Sequence, residues 1–339
     1  MGPMPKKKSL TLQRVLVLLL AYIMLAVCGG VAASVLFVPG VVGANKAAKA
    51  VIPSLKVENV DFDVTSLPQK STMYARDGST VIATFYNQNR IVVPLKKISK
   101  TMQQAVVARE DRRFWTHAGV DVQGVMRAFV QTYLVKGSQQ GGSSLTQQYV
   151  KNVLLMQAIE DDDSIAQYHA TEDTIARKIR EMLISVQMEK KYSKAEILQG
   201  YLNIAQFGNN LYGVETAAQR YFSVSAADLN VVQSATIAAI TKNPSLYDPL
   251  VEENQKESEN QRNIVLKLML QEGYITQKQY TEAVNTPLKD TLKAQDVNVG
   301  CQDTGDYAYF CDFVVHRIQN SEEFGKTRAC LLYTSDAAD

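Results

Sequence analysis

The 339-residue sequence carries little net charge and few groups that bind metals. Its 36 lysine and arginine residues nearly balance 34 aspartate and glutamate residues, for a formal net charge of +2. No basic stripe interleaved with aromatic side chains is present, so we expect no nucleic-acid partner. The four cysteines include no Cys-x-x-Cys pair and the three histidines are far apart, which argues against a structural zinc site. The hydrophobic fraction of 46% excludes a disordered chain.

Charge is also missing from the N-terminal region between Arg14 and Lys46. Residues 15–38 are apolar and long enough to cross ~30 Å of hydrocarbon as a helix. Three lysines and Arg14 precede this run, so the positive-inside rule predicts that residues 1–14 are cytoplasmic. A cleaved signal peptide is the alternative, because residues 42–44 resemble a cleavage site, but its apolar region is typically about 7–15 residues long. We therefore predict a single-pass protein of the cytoplasmic membrane whose residues after about position 40 are extracytoplasmic.

The rest of the chain reads as a juxtamembrane linker at residues 39–70, then a short β element, then helices. Alternation over residues 71–75 and 80–85, with a turn between them, predicts two strands. From about residue 98 the pattern becomes helical, and no internal repeat is present. The predicted fold class is therefore mainly α.

Several helices are predicted individually. Ile175, Ile179, Leu183 and Val186 form one apolar stripe with charges opposite, which is typical of an amphipathic helix. Ser193 and Glu196 have the spacing of a capping box. Further helices are predicted at residues 228–241, 254–271 and 276–284.

The first motif that carries chemistry is EDRRFWTHAG at residues 110–119. It places Glu110, Asp111 and His117 close to Phe114 and a tryptophan. A carboxylate in such surroundings suits a general base. Taken alone, the motif is weak evidence, and a solvated acidic helix end explains it better than a catalytic base.

The second motif is GGSSLTQQYVKN at residues 141–152. A Gly-Gly turn followed by Ser143, Ser144 and Thr146 resembles a helix N-terminus whose backbone N–H groups receive an anion. Lys151 lies further along the same helix. A capped helix without a ligand is the alternative.

The third motif is RKIRE at residues 177–181. Arg177, Lys178 and Glu181 share one helical face because their spacings are i,i+3 and i,i+4. The group is either a surface salt bridge or a carboxylate set among cations that hold a pyrophosphate.

In order and combination the three motifs closely resemble the glycosyltransferase family that builds peptidoglycan strands from lipid II. That family, glycosyltransferase family 51, forms the first domain of class A penicillin-binding proteins. Its patterns Glu-Asp-x-x-Phe-x-x-His-x-Gly, Gly-Gly-Ser-x-x-x-Gln-Gln-x-x-Lys-Asn and Arg-Lys-x-x-Glu are complete here, and two further regions match at residues 197–208 and 221–249. The resemblance covers about residues 71–285. It implies a lysozyme-like glycosyltransferase domain at residues 71–290 with a short β element at its start.

Three features depart from the family pattern. Gln199 and Gln233 stand where glutamate is usual, so any role of a carboxylate there is altered. The stretch between the second and third motifs is long and contains the acidic residues 160–163. We interpret this run as a solvated loop rather than a metal site.

The resemblance implies a mechanism. Lipid II is the acceptor, a glycan on undecaprenyl pyrophosphate is the donor, and the product is a β-1,4 glycan formed with inversion. Glu110 would be the base and Glu181 a second catalytic carboxylate that orients cations or a divalent metal, Mg²⁺ or Mn²⁺; no organic cofactor is expected. The implied partners are lipid II, the lipid-linked glycan, the membrane and other cell-wall synthesis proteins. The implied substrate-binding residues are Asp111, Phe114, His117, Ser143, Ser144, Gln148, Lys151, Asn152, Arg177, Lys178, Tyr201 and Asn203.

Two other classes of function stay open at this stage. A lytic enzyme of lysozyme-like fold would also need a catalytic glutamate, but not cations for a pyrophosphate, since its leaving group is a sugar. A catalytically inactive cell-wall scaffold would be expected to lose Glu110 or Glu181, and both are present.

The C-terminal part yields two expectations. Cys301 and Cys311 are close in sequence, and a turn-like segment separates them, so we predict a disulfide in an oxidising compartment. Residues 291–329 read as the start of a linker to a transpeptidase domain. Residues 330–339 read as the translation of a sequencing adapter, so we expect them not to be biological and Cys330 to have no native partner.

Overall fold

The computed structural model describes residues 67, 71–85, 88–133, 142–295, 300–301 and 305–320. The predicted span at residues 15–38, nearly all of the predicted linker and the predicted adapter translation lie outside these residues. Within the described part, no helix combines the length and the apolar character needed to cross a bilayer. The short segment Thr174–Arg180 belongs to a separate compact unit and is described only by itself.

The described elements are predominantly helical, as predicted. The strands are β1 Ser71–Tyr74, β2 Val81–Phe85, β3 Asn89–Arg90, β4 Gln206–Gly208 and β5 Leu211–Tyr212. The helices are α1 Lys100–Glu110, α2 Val122–Tyr133, α3 Leu145–Glu160, α4 Ser164–Thr171, α5 Ile175–Lys191, α6 Lys194–Ile204, α7 Val214–Phe222, α8 Val231–Ile240, α9 Gln255–Gln271, α10 Gln277–Asn285, α11 Leu288–Thr291 and α12 Ala308–Gln319.

The predicted β element is an antiparallel pair of β1 and β2. Asp77 closes the turn between them by accepting hydrogen bonds from the backbone N–H groups of Ser79 and Thr80. The Thr80 hydroxyl also donates to Asp77, and these bonds lower the pKa of Asp77 to about 2. Gly78 has φ +67°, a conformation that favours glycine.

The hairpin packs against the start of α12. Ile82, Ala83 and Phe85 form a buried cluster with Cys311. Cys311 is disulfide-bonded to Cys301 with Cα atoms 5.5 Å apart, which confirms the predicted pairing. The apolar packing on Cys311 therefore joins α12 to the hairpin, and the disulfide ties residue 301 to the same cluster.

Three helices form the main core. The predicted helices near 228–241 and 254–271 are α8 and α9, and both pack against α1 and each other. Val106 of α1, Ile237 of α8 and Leu266 of α9 are completely buried. Because Glu110 ends α1, this core fixes the position of that carboxylate.

A second contact joins α3 to α6 at close range. A Cβ atom at Gly200 of α6 would collide with the ring of Tyr149 on α3, so the helices approach this closely only with glycine at the position. Tyr149 is buried. The contact places the second motif beside Tyr201, in the matching region at residues 197–208.

Capping boxes open four of the described helices. The predicted one at Ser193 and Glu196 is present at the start of α6. In α8 the N-cap is Asn230, and Gln233 accepts from its backbone N–H. The unusual glutamine at position 233 is therefore a neutral capping residue.

The apolar stripe predicted on α5 is not its buried face, so that part of the prediction is wrong. Ile175 is 77% exposed and Leu183 is 40% exposed. The buried positions instead include Glu181 and Ser185, which follow one another at i,i+4, together with Met188. The helix itself exists, but its buried face contains polar residues.

A small three-stranded sheet completes the described fold. β3 pairs with β5 in parallel, and β4 pairs with β5 antiparallel. The Arg90 side chain of β3 is buried with its guanidinium over the Tyr212 ring at 5.3 Å. Burial lowers its pKa to about 10, although Tyr212 and Glu160 favour the charged form.

Candidate active site

Glu110 lies at the C-terminal end of α1 and is half-buried. Its Oε1 accepts a 2.7 Å hydrogen bond from the Thr241 hydroxyl, directly after α8. Its Oε2 accepts a 2.8 Å hydrogen bond from Gln148 Nε2 on α3. Two neutral donors from different helical segments thus hold the two oxygens of this carboxylate.

Tyr201 of α6 holds the Gln148 side chain in this arrangement. Its hydroxyl donates to Gln148 Oε1 at 3.3 Å. Burial, followed by the negative charge of Glu110, raises the pKa of Tyr201 well above its usual value. Tyr201 therefore remains a neutral donor that fixes the orientation of the Gln148 amide. Substrate contact was predicted for Tyr201, but its side chain is buried and acts on Gln148 instead.

Asp111 is buried and occupies the N-terminus of α3. Its Oδ2 accepts from the backbone N–H of Leu145 at 3.0 Å and lies 2.8 Å from His117 Nε2. An anion at this helix N-terminus was predicted, and the structure places the Asp111 carboxylate there. An aspartate favours this position because the helix dipole is positive at its N-terminal end.

His117 continues this network toward α5 and α6. Its Nδ1 lies 3.9 Å from Glu189 Oε1, beyond hydrogen-bonding distance. Glu189 accepts from the Thr146 hydroxyl at 2.6 Å and pairs with Lys194 at 2.7 Å. The Lys194 ammonium in turn lies 4.6 Å from the centre of the Phe114 ring. Phe114 thus packs against Lys194 and His117 binds Asp111, while their contact with substrate stays a prediction.

Ser144 and Gly119 join the first two motifs. The Ser144 hydroxyl accepts from Gln147 N as the N-cap of α3 and donates to the Gly119 carbonyl at 2.6 Å. Gly119 has φ +86°, and a Cβ there would lie 2.6 Å from backbone atoms of Ser185 on α5. Ser144 was predicted to bind substrate, but its buried hydroxyl is used within the protein.

Asn203 is a third predicted substrate residue whose side chain makes hydrogen bonds within the protein. It is completely buried. Its Nδ2 donates to the carbonyls of Val93 and Gln199, and its Oδ1 accepts from Val93 N. Gln199 Oε1 accepts from Leu95 N. The two amides thus hold the segment before α1, and at position 199 a neutral glutamine does this without a charge.

Lys151 and Asn152 lie three and four residues after Gln148 on α3, so all three share one helical face. Both are partly exposed, as is Ser143 just before the helix. Glu181 lies on α5 and is buried. Arg177 and Lys178 lie in the first turn of α5, where Arg177 N donates to the Thr174 hydroxyl. Contact of these residues with substrate stays a prediction.

The predicted divalent cation also stays an expectation. Among the described residues, no group of three or more His, Cys, Asp or Glu side chains is close enough to bind a metal. The acidic run at residues 160–163 forms an exposed turn, in which Asp163 caps α4.

Sequence reasoning missed Thr241, Glu189 and Lys194. Thr241 follows an apolar helix and belongs to no charged or glycine-rich pattern, so no local signal pointed to it. Lys194 adjoins the predicted capping box, and Glu189 lies five residues before it. That spacing across a helix break gave no indication of an ion pair.

Comparison with known proteins agrees with this arrangement. A family described as Transglycosylase matches residues 78–270. Penicillin-binding protein 4 of Bacillus subtilis is 38% identical over 272 residues, covering 79% of this chain and 40% of the relative. Penicillin-binding protein 1A of Aquifex aeolicus is 39% identical over 229 residues, covering 68% and 29% respectively. The chain thus spans less than half the length of these relatives.

A crystal structure of penicillin-binding protein 1A from Haemophilus influenzae is 24% identical, with a TM-score of 0.42, and the match covers 78% of this chain and 26% of that one. The family match spans more than half of the chain and includes all three motifs with the Glu110 arrangement. The chain therefore belongs to the transglycosylase family, as the peptidoglycan glycosyltransferase domain of a class A penicillin-binding protein.

Proposed function

We propose that this domain polymerises lipid II into β-1,4-linked glycan strands and releases undecaprenyl pyrophosphate. The observation that carries the proposal is the carboxylate of Glu110, held by Thr241 and Gln148 through one hydrogen bond to each oxygen. A carboxylate has about four acceptor positions, so one remains on each oxygen for an incoming hydroxyl. Such an arrangement suits a general base.

In the proposed reaction the 4-hydroxyl of the lipid II sugar attacks the anomeric carbon of the donor glycan. A new carbon–oxygen bond forms as the bond to the pyrophosphate breaks, and the electron pair leaves with the pyrophosphate. Glu110 takes the hydroxyl proton. The α-linked donor becomes a β-linked product, so the configuration inverts.

The leaving pyrophosphate needs positive charge but no proton. Lys151, Arg177 and Lys178 are proposed to supply that charge, with Ser143 and Asn152 as hydrogen-bond donors. Gln148 contributes indirectly by holding Glu110. Glu181 is proposed to orient these cations or a divalent metal ion. Mg²⁺ or Mn²⁺ there would supply further positive charge to the pyrophosphate.

The domain organisation is proposed to follow the chemistry. A lysozyme-like domain at residues 71–290 would be anchored by the span at residues 15–38, with residues 39–70 as linker. Since both substrates are lipids, an anchor raises their effective concentration at the site. Residues 291–329 would lead to a transpeptidase domain.

The test is incubation of purified protein with labelled lipid II. We expect the wild type to form long glycan polymer and Glu110→Gln to form none, because the amide keeps the shape but cannot take a proton. Glu253→Gln, a change of an exposed carboxylate, is the matched control and should polymerise normally. Polymer from Glu110→Gln at the wild-type rate would exclude Glu110 as the base. Shorter fragments from a preformed glycan would indicate a lytic enzyme, and no reaction by the wild type would indicate a scaffold.

A further inference from the structure

The Thr241 hydroxyl has more acceptors than protons. It lies 2.7 Å from Glu110 Oε1 and 2.9 Å from the carbonyl oxygen of Ala238. A threonine hydroxyl has one proton and two lone pairs, so it can donate to only one of these oxygens at a time. The Ala238 carbonyl belongs to the last turn of α8, where carbonyls lack amide partners within the helix. Both oxygens are therefore real alternatives for the same proton.

We propose that Thr241 is a positioning residue for Glu110 that turns its single proton between these two acceptors as Glu110 changes protonation state. This inference rests on the proposed function, because it needs Glu110 to act as the base. While Glu110 is a carboxylate, the Thr241 proton points to Oε1. After Glu110 has taken the substrate proton, it donates through Oε1 to the Thr241 oxygen, whose own proton then points to Ala238.

The opposite side of Glu110 cannot make the same exchange. Gln148 donates to Oε2 through Nε2, while its Oε1 accepts from the Tyr201 hydroxyl. Turning the amide over would require the Tyr201 hydroxyl to turn as well, so that it accepts from the NH₂ group instead of donating. Thr241 is thus the partner of Glu110 that can serve both of its forms by rotation of a single O–H bond.

The other described neighbours of Glu110 do not compete with the Thr241 hydroxyl for this exchange of a proton between two acceptors. Gln148 from α3 is neutral, and Tyr201 from α6, which also contacts Thr241, is kept protonated by burial. Within the same α1 helix, the neighbouring Asp111 is engaged by His117 and Leu145. A rotation of one O–H bond needs no movement of the backbone.

Three variants of the full chain test the proposal. Thr241→Val keeps the shape and removes the hydroxyl, whereas Thr241→Ser keeps the hydroxyl. The matched control is Thr236→Val in α8, the helix that Thr241 directly follows, because the Thr236 hydroxyl donates to the Val232 carbonyl at 2.9 Å. Polymerisation of lipid II is measured as kcat and KM across pH, with a thermal melt of each sample.

We expect Thr241→Val to lower kcat by about tenfold or more, because the Glu110 carboxylate is no longer held in the orientation that receives the substrate proton. KM should stay within about twofold, because the contact is to the base and not to substrate. The acid limb of the pH profile should move to higher pH, because the carboxylate form has lost a donor. Thr241→Ser should restore kcat and the pH profile, and Thr236→Val should match the wild type in both.

Equal kcat and an unchanged acid limb in Thr241→Val would overturn the proposal, as would equal loss in the serine and valine variants. If valine prevents folding, Thr241→Ala against Thr241→Ser decides: an impaired alanine variant beside an active serine variant supports the proposal, and two active variants overturn it. A wild type that makes no polymer would instead contradict the proposed function.

Discussion

Asp111 and Leu145 join the end of α1 to the start of α3 through a 3.0 Å hydrogen bond from the Leu145 backbone to the Asp111 carboxylate. Glu110, the last residue of α1, directly precedes Asp111, and Gln148 lies one turn after Leu145 on α3. The bond therefore sets the separation over which Gln148 reaches Glu110. His117 holds the same Asp111 oxygen from the other side.

Asp111→Ala should destabilise the protein by about 1–3 kcal/mol, because it leaves the buried Leu145 N–H without its acceptor. Polymerisation should fall with it, since the Gln148 contact to Glu110 depends on this link. Asp111→Asn is the matched variant: an amide oxygen can accept from both Leu145 and His117, so most of the stability should remain. Urea denaturation and lipid II polymerisation on the same samples measure both effects. Equal stability of the alanine variant and the wild type would contradict this role.

Gly119→Ala should destabilise the protein more than Gly78→Ala. Both glycines have positive φ, so alanine costs about 1–2 kcal/mol at each for the backbone conformation. At Gly78 the new methyl meets nothing within 4 Å, whereas at Gly119 it collides with the Ser185 backbone. The difference between the melting temperatures of the two variants measures the destabilisation that the collision causes. An identical loss of melting temperature in both variants would mean that the first motif can move away from α5 without lowering the stability of the protein.

Lys178→Ala should reduce polymerisation with little loss of stability. An exposed ion pair contributes only about 0–1 kcal/mol, whereas a charge that holds a pyrophosphate contributes more to activity. Lys190→Ala is the control on the same helix, because Lys190 is exposed near its C-terminal end. Lost stability with unchanged activity would favour a salt bridge at Lys178.

Asp121→Asn should make the free energy of unfolding fall less steeply as the pH is lowered. Burial, the largest single influence, would raise the pKa of Asp121, but the hydrogen bonds from Arg113 and the Gly124 backbone, together with the charge of Arg113, lower it below its usual value. A lowered pKa stabilises the fold above the unfolded value of about 3.9, and that contribution is lost as the pH falls through the folded value. Urea midpoints from pH 7 down to pH 2 test this. An identical acid slope in the variant would exclude a contribution from Asp121.

Local patterns predicted those parts of the fold whose cause is local. The hairpin turn around Gly78 and the capping box at Ser193 depend on residues within a few positions of each other, so their sequence was sufficient. The two-residue strands β3 and β5 are too short to show alternation. They pair in parallel between Asn89 and Leu211, a relationship that no local pattern carries.

The buried face of α5 illustrates the opposite case. Apolar periodicity predicted the stripe through Ile175 and Leu183, but the helix buries Glu181 and Ser185. Sequence patterns treat burial as a property of apolar residues. They fail where a helix buries polar positions, as α5 does at Glu181 and Ser185.

The candidate site shows the same limit. Motif order located Glu110 and Gln148, which are hydrogen-bonded. It could not predict that the Asn203 and Ser144 side chains are buried and hydrogen-bonded to backbone carbonyls. Thr241 was missed because its proximity to Glu110 arises from the packing of α8 on α1.

The disulfide between Cys301 and Cys311 has a consequence for the timing of folding during synthesis. The apolar residues Ile82 and Phe85 of the hairpin pack on Cys311, a residue made about 230 positions later. At about 5–20 residues per second, the ribosome takes about 11–46 s to supply it. For that interval the Ile82 and Phe85 side chains of the nascent hairpin lack the contact that covers them in the folded protein.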